Sequence, residues 1–403
     1  MVQALAVPYF NQKTAAYMQR YFAFVPRSDG TLSLNSSVDG GATWKWQSLG
    51  GSPPGVLSVP AATAFFSGNL ASDGSQINQF YSFVVASDQS LWVVVSLDDG
   101  KTWNWQPQGN PSSGANIAGP PDAVSRQAVK PGGPFEQDVY CHVVGSDGHL
   151  YVNYSEDNGK TWQWANRGNP SGTTLAVGAG NSSIADLDES GDKLYTFAIG
   201  DDQNLYANFG DGSTWQWLPL GRPPSGGLSK ISNFWPAAVS AQSLTQPGTM
   251  IFVFVVGLDG HLWAAHRPPG GTGWLWEDRG TPPTGSIGQF RSNALLAQMQ
   301  FGTKMGPSVR WNLYVFALDA NIPSPLLTDF TPNAETASWN WQPSSAPTGA
   351  VLTGFVGAVA SPDGVFGENF LPIYVFVLDI QNDVHLRKWD GAQWTWLDQN
   401  GPF

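Results

Sequence analysis

The chain has 403 residues, of which 12% are charged and 13% aromatic, with 46 glycines and 30 prolines. That composition excludes a helical protein and suits many short strands joined by tight turns. A formal charge of −12 argues against nucleic acid or an anionic membrane as the main partner, since both need a positive surface.

In chain order, strongly apolar runs recur at Tyr21 to Val25, Phe80 to Val85, Val139 to Val144, Leu194 to Ile199, Ile251 to Val256, Leu313 to Leu318 and Ile373 to Leu378. A turn follows each, often with an Asp-Gly pair such as Asp29-Gly30, Asp147-Gly148 or Asp259-Gly260, which favours the positive φ angles of a hairpin. An alternating strand comes next, as in Leu150 to Tyr154, and then a Trp-x-Trp pair. The pairs are Trp44/Trp46, Trp103/Trp105, Trp162/Trp164, Trp215/Trp217, Trp274/Trp276, Trp339/Trp341 and Trp394/Trp396. Successive copies are 59, 59, 53, 59, 65 and 55 residues apart, a structural repeat. Side chains alternate along a strand, so the two tryptophans of a pair share one face and the residue between them, polar in six of seven copies, takes the other.

Glycine and proline follow the pair at Gly109/Pro111, Gly168/Pro170, Gly221/Pro223 and Gly280/Pro282, stretched at Gly50/Pro53 and degraded at Ser345/Pro347 and Asn400/Pro402. Proline cannot extend a ladder inward, so these positions end one unit and begin the next. Each unit, with a small-residue first strand such as Ser58 to Phe66, then reads as four antiparallel strands. Seven such units predict an all-β, seven-bladed β-propeller of four-stranded antiparallel blades. We expect a single domain, residues 1–403, with blades of approximately 1–53, 54–112, 113–170, 171–223, 224–282, 283–347 and 348–403.

Three turns, Ser37 to Trp44, Ser96 to Trp103 and Ser155 to Trp162, carry the pattern Ser-x-Asp-x-Gly-x-Thr-Trp, which resembles the Asp-box hairpins of sialidases and of several non-enzymatic propellers. Copies four and seven are shortened to Asp211-Gly212 and Asp390-Gly391, and copies five and six lack the turn. The aspartate's role in such a turn is local, because it accepts hydrogen bonds from turn amides. The whole arrangement is similar to the seven-bladed β-propeller lectins of bacteria and fungi, including the PLL-like group, as seen in Phe252 to Trp263 with its apolar strand, Asp259-Gly260 turn and Trp263. The longer repeat and closer tryptophans depart from that group, so none of its sugar-contacting residues is carried over. The resemblance implies a multivalent, non-enzymatic lectin; the alternatives are a protein-interaction scaffold or a sialidase-like glycoside hydrolase. The hydrolase would need an arginine cluster, whereas the ten arginines are scattered and the nearest early one, Arg27, sits at a hairpin end.

No catalytic residue and no cofactor is assigned, and no metal spacing appears. Asp186 to Asp192 resembles the start of a calcium loop, but Leu194 and Phe197 stand where later ligands belong, so it reads as a hairpin turn. Cys141 lies in an apolar run, the setting of an inert thiol. The expected partners are glycans or glycoconjugates, recognised through monosaccharide epitopes, with self-association of the rings left open. The candidate sugar platform is the second tryptophan of each pair, Trp46, Trp105, Trp164, Trp217, Trp276, Trp341 and Trp396. An indole takes the C–H face of a sugar while nearby polar groups take its hydroxyls. Those groups are Gln47, Gln106, Asn166, Arg167, Arg279 and Gln342. With no basic-apolar leader and no apolar run of eighteen, the chain is expected to be soluble, either cytoplasmic or released without a classical signal peptide. Asn-x-Ser triplets at Asn35, Asn153 and Asn181 would matter only on a secretory route.

Overall fold

The computed structural model describes residues 3–399 apart from 14–15, 52, 56–59, 112–113, 130–134, 189–190, 231, 233, 291–293, 304–305, 322–324, 333, 335–338, 355–356, 361–371 and 392. Asn400 and Pro402, and Glu189 and Ser190 of the acidic run, lie outside the described residues. Seven antiparallel sheets follow one another, each built from consecutive strands. Blade 1 is formed by Gln3–Asn11, Ala16–Pro26, Leu32–Ser37 and Lys45–Ser48; blade 3 by Asp122–Val129, Phe135–Val144, Leu150–Ser155 and Gln163–Gly168. Blade 6 differs in that its first strand comes in two pieces, Ile287–Gln289 and Ala294–Thr303, both paired with the long second strand Gly306–Asp319. The first strands touch their neighbours all the way round, blade 7 against blade 1 included, so they line the centre of a closed seven-bladed β-propeller.

The apolar residues sit between blades, because one sheet cannot bury both of its faces alone. Successive hydrophobic clusters join blades 1 and 2, 2 and 3, 4 and 5, 5 and 6, 6 and 7, and 7 and 1. The seam between blades 3 and 4 is divided into two smaller clusters, one around Val124, Tyr140, Val152 and Leu194 and one around Val144, Leu150, Leu175 and Ala198. A polar group lies in this seam: His142, wholly buried, contacts the Ser183 hydroxyl at 3.2 Å, which contacts Thr196 at 3.1 Å, and Asn181 donates to the His142 carbonyl at 3.3 Å. Cys141 is buried on the opposite face, packed between blades 2 and 3, with its thiol pKa pushed up by burial.

Turn chemistry follows the sequence. The hairpins between second and third strands hold a residue of positive φ at Gly30, Gln89, Gly148, Gln203, Gly260 and Asn382, so glycine is not obligatory there. The turns before the tryptophans place two successive residues at positive φ in Gly40/Gly41, Asp99/Gly100 and Asn158/Gly159, as a primed hairpin turn requires. Asp157 accepts from the Thr161 and Lys160 amides at 2.9 and 3.0 Å and from the Thr161 and Ser155 hydroxyls at 2.6 and 2.8 Å. Asp39 and Asp98 repeat the arrangement with Thr43 and Thr102. The hydroxyl and amide of Thr43 together lower the Asp39 pKa to about 2.

Candidate functional site: the seams between blades

Both tryptophans of every pair project into the seam with the preceding blade. The first stands edge-on to a ring of that blade's second strand: Trp44 to Phe376, Trp103 to Phe24, Trp162 to Phe83, Trp215 to His142, Trp274 to Phe197, Trp339 to Phe254 and Trp394 to Phe316, with centroids 5.4 to 6.2 Å apart. His142 alone replaces phenylalanine in that series. Its burial, with the Arg167 charge adding, lowers its pKa to about 3.

The second tryptophan is a stitch. Its indole N–H donates to a backbone carbonyl of the preceding blade in all seven seams: Trp46 to Gln399, Trp105 to Leu49, Trp164 to Gln108, Trp217 to Arg167, Trp276 to Leu220, Trp341 to Arg279 and Trp396 to Ser345, at 2.8 to 3.1 Å. In six seams the acceptor is three residues beyond the neighbour's own second tryptophan; Ser345 is four beyond Trp341. All seven of these indoles are half-buried, so part of each ring faces outward while its N–H is committed.

The polar candidates divide. Gln47 and Gln342 are exposed. Asn166 is exposed too, its amide beside the His149 ring at 3.3 Å and its carbonyl oxygen taking the Gly168 amide at 2.6 Å. Gln106 accepts from the first tryptophan of the next blade, Trp162, at 3.1 Å. Arg167 and Arg279 sit over the first tryptophans of the next blades, Trp215 and Trp339, each with its guanidinium carbon 4.1 Å from the ring centre. Arg279 also bonds Glu277 at 2.9 Å and the buried Asp329 at 3.3 Å. Burial pushes the Asp329 pKa up to about 6 against the pull of Arg279. These two arginines therefore hold seams together. The triplet asparagines are buried, and Asn35 and Asn153 pair across the sheet with Trp46 and Trp164, so a glycan at either is incompatible with the closed seam.

The structure adds a feature that residue counting did not reach. The turn glycine of one blade sits against the second strand of the blade before it: a Cβ on Gly41 would collide with the Tyr374 hydroxyl and one on Gly159 would meet the Tyr81 ring at 2.5 Å, one on Gly212 would collide with the Arg126 guanidinium and lie 3.2 Å from the Tyr140 hydroxyl, and one on Gly100 would reach the Phe22 ring at an ordinary contact distance of 3.6 Å. Blade 5 has Pro268 to Gly273 in place of that turn, and most of the corresponding stretch of blade 6 lies outside the described residues; the equivalent second-strand rings, Tyr195 and Phe252, stay buried. A cleft of about 330 Å³ opens between blades 4 and 5 over Tyr195, Phe209 and Leu218. Another of about 220 Å³ opens between blades 5 and 6 over Phe252 and His266. The signal was present in the sequence as the missing turn, but what a turn covers is a contact between blades.

No family model matches the chain, and no curated protein matches it. Solved structures do. The fucose-specific lectin from Aleuria aurantia aligns with a TM-score of 0.50 at 14% identity over 86% of this chain and 97% of that one. A structure of the same lectin described as a six-bladed β-propeller with a novel fucose recognition mode aligns at 0.50 and 14% over 87% and 99%. A mutant of AofleA from Arthrobotrys oligospora aligns at 0.51 and 10% over 86% and 91%. These likenesses show the propeller fold. The six-bladed ring is covered almost entirely while about one-seventh of this chain is left over, in keeping with one additional blade.

Proposed function

We propose that this protein is a multivalent carbohydrate-binding protein that displays its sugar sites at the seams around the ring and performs no catalysis. The observation that carries the reading is the set of seven half-buried indoles, Trp46, Trp105, Trp164, Trp217, Trp276, Trp341 and Trp396, each anchored through its N–H so that the remaining ring surface is held in a fixed orientation. A preoriented apolar face beside exposed amides such as Gln47, Asn166 and Gln342 suits a sugar, which presents a C–H face and a hydroxyl edge together. Single sites of this shallow kind are weak, and repetition on one rigid ring raises avidity on a glycan-coated surface. Lectin function in the Aleuria aurantia neighbours, one of them in complex with a methyl fucoside, supports the same reading.

A glycan array probed with the labelled chain tests it. Binding to a defined subset of glycans is expected; silence across the array at high protein density overturns the reading in favour of a protein-interaction scaffold. Turnover of a fluorogenic glycoside, sialosides included, overturns the non-enzymatic part.

A further inference from the structure

The cleft between blades 4 and 5 breaks the symmetry of the ring, and its lining is that of a built pocket. One wall holds Tyr195 and Phe209, whose rings stack at 11° with centroids 5.4 Å apart; Tyr195 is buried and Phe209 is the half-buried ring of the pair. At the equivalent place, seams 7/1, 1/2, 2/3 and 3/4 carry the next blade's turn glycine; here Pro268 to Gly273 take the place of the acidic turn, and Gly270, Gly271 and Thr272 line the cleft. Facing it is blade 5, through Thr249, Arg267, Thr272 and Trp274.

The polar groups of the blade 5 side are donors in search of acceptors. Thr249 is 4% exposed, and its hydroxyl has no hydrogen-bond partner among the described residues. Leaving a buried hydroxyl unmatched is costly, so its retention against the cleft points to a bound group that would match it. Trp274 is the partly exposed first tryptophan of its pair, and no acceptor takes its N–H among the described residues, as for the buried N–H groups of Trp44 and Trp339 and unlike those of Trp103, Trp162 and Trp215. Arg267 reaches across from blade 5 to the buried Asp186 at 2.5 Å and to the Tyr195 hydroxyl at 3.0 Å, which uses two of its five N–H groups and matches its charge. A volume of about 330 Å³ falls at the lower end of the roughly 300–1,000 Å³ of small-molecule sites.

We infer that the blade 4–5 cleft is a single, non-repeated binding site for a neutral pyranose, packed against Phe209 with its hydroxyl oxygens accepting from Thr249, Trp274 and Arg267. This rests on the carbohydrate-binding reading and moves one site of it away from the tryptophan rim. Lys193 also lines the cleft, and the choice between neutral and acidic sugar rests on the charge-matched Arg267–Asp186 pair and on the chain's net charge of −12, which repels anions.

Isothermal titration of the intact chain with the methyl glycosides of fucose, galactose, glucose, mannose and N-acetylglucosamine, and with methyl glucuronide, tests the assignment. The best-bound neutral glycoside is then titrated into Thr249→Val, which removes an already unpartnered hydroxyl, and Thr272→Trp, which fills the cleft from an exposed position. Both variants should keep the parent unfolding midpoint; the first should bind about tenfold more weakly and the second should lose one site per chain. Parent affinity and stoichiometry in both overturn the cleft site while leaving an array-positive rim standing. Preference for the glucuronide overturns the neutral-sugar assignment. Failure of every methyl glycoside to bind overturns the cleft site, and only silence on the array as well overturns the lectin reading.

Discussion

His142 shows how much one residue can alter a seam. Its six counterparts, Phe24, Phe83, Phe197, Phe254, Phe316 and Phe376, receive the edge of the next blade's first tryptophan as hydrocarbon. At His142 the same contact is made by an imidazole that must stay neutral, and its Nε2 is buried without a partner. The folded pKa of about 3 lies below the ordinary histidine value, so between pH 6.5 and 3 the unfolded chain binds a proton that the folded chain refuses. Stability is full above pH 6.5 and falls as pH drops through that window, by on the order of 3 kcal/mol at pH 4. Denaturant titrations at several pH values should show this slope in the parent and its loss in His142→Phe; an unchanged slope would place the acid sensitivity elsewhere. Trp164→Phe should in turn cost about 1–3 kcal/mol, since the Gln108 carbonyl loses its donor. The apolar run from Val139 to Val144 announced a buried strand, but nothing in it announced that His142 would face a tryptophan some seventy residues away in sequence.

The turn from Ser155 to Thr161 is an element with two jobs. Within the hairpin, Asp157 gathers two hydroxyls and two amides, contacts spanning at most four residues, and such local bonding is why the pattern was legible in the sequence. Asp157→Ala should destabilise by about 1–3 kcal/mol in chemical denaturation. Between blades, the same turn seats its backbone on Tyr81, whose hydroxyl donates to the Asn158 carbonyl at 2.9 Å. Gly159 has φ +73° and no room for a methyl group beside the Tyr81 ring, so Gly159→Ala should destabilise by more than about 2 kcal/mol. A variant as stable as the parent would show that the seam tolerates a shifted turn.

At the scale of the ring, blade number and strand order follow from the spacing of the tryptophan pairs and from proline punctuation, because both are properties of the chain taken one repeat at a time. The direction in which the indoles point is not, because every stitch joins residues 50 or more apart in sequence. Closure runs through Gln399, whose carbonyl receives Trp46 and whose side chain receives the buried Asn35 at 3.1 Å. Removing residues 399–403 should lower stability by about 2–4 kcal/mol without changing the strand content seen by circular dichroism. An unaltered unfolding midpoint would mean that first-strand packing alone shuts the ring.

The closing seam is stitched as the other six are, with no strand borrowed from the far end of the chain. The stitch is thus common to all seven seams, even where the packing beside it differs. Two co-expressed fragments, residues 1–223 and 224–403, should reassemble into the parent ring, each offering the other the same indole and the same carbonyl that its own blades exchange.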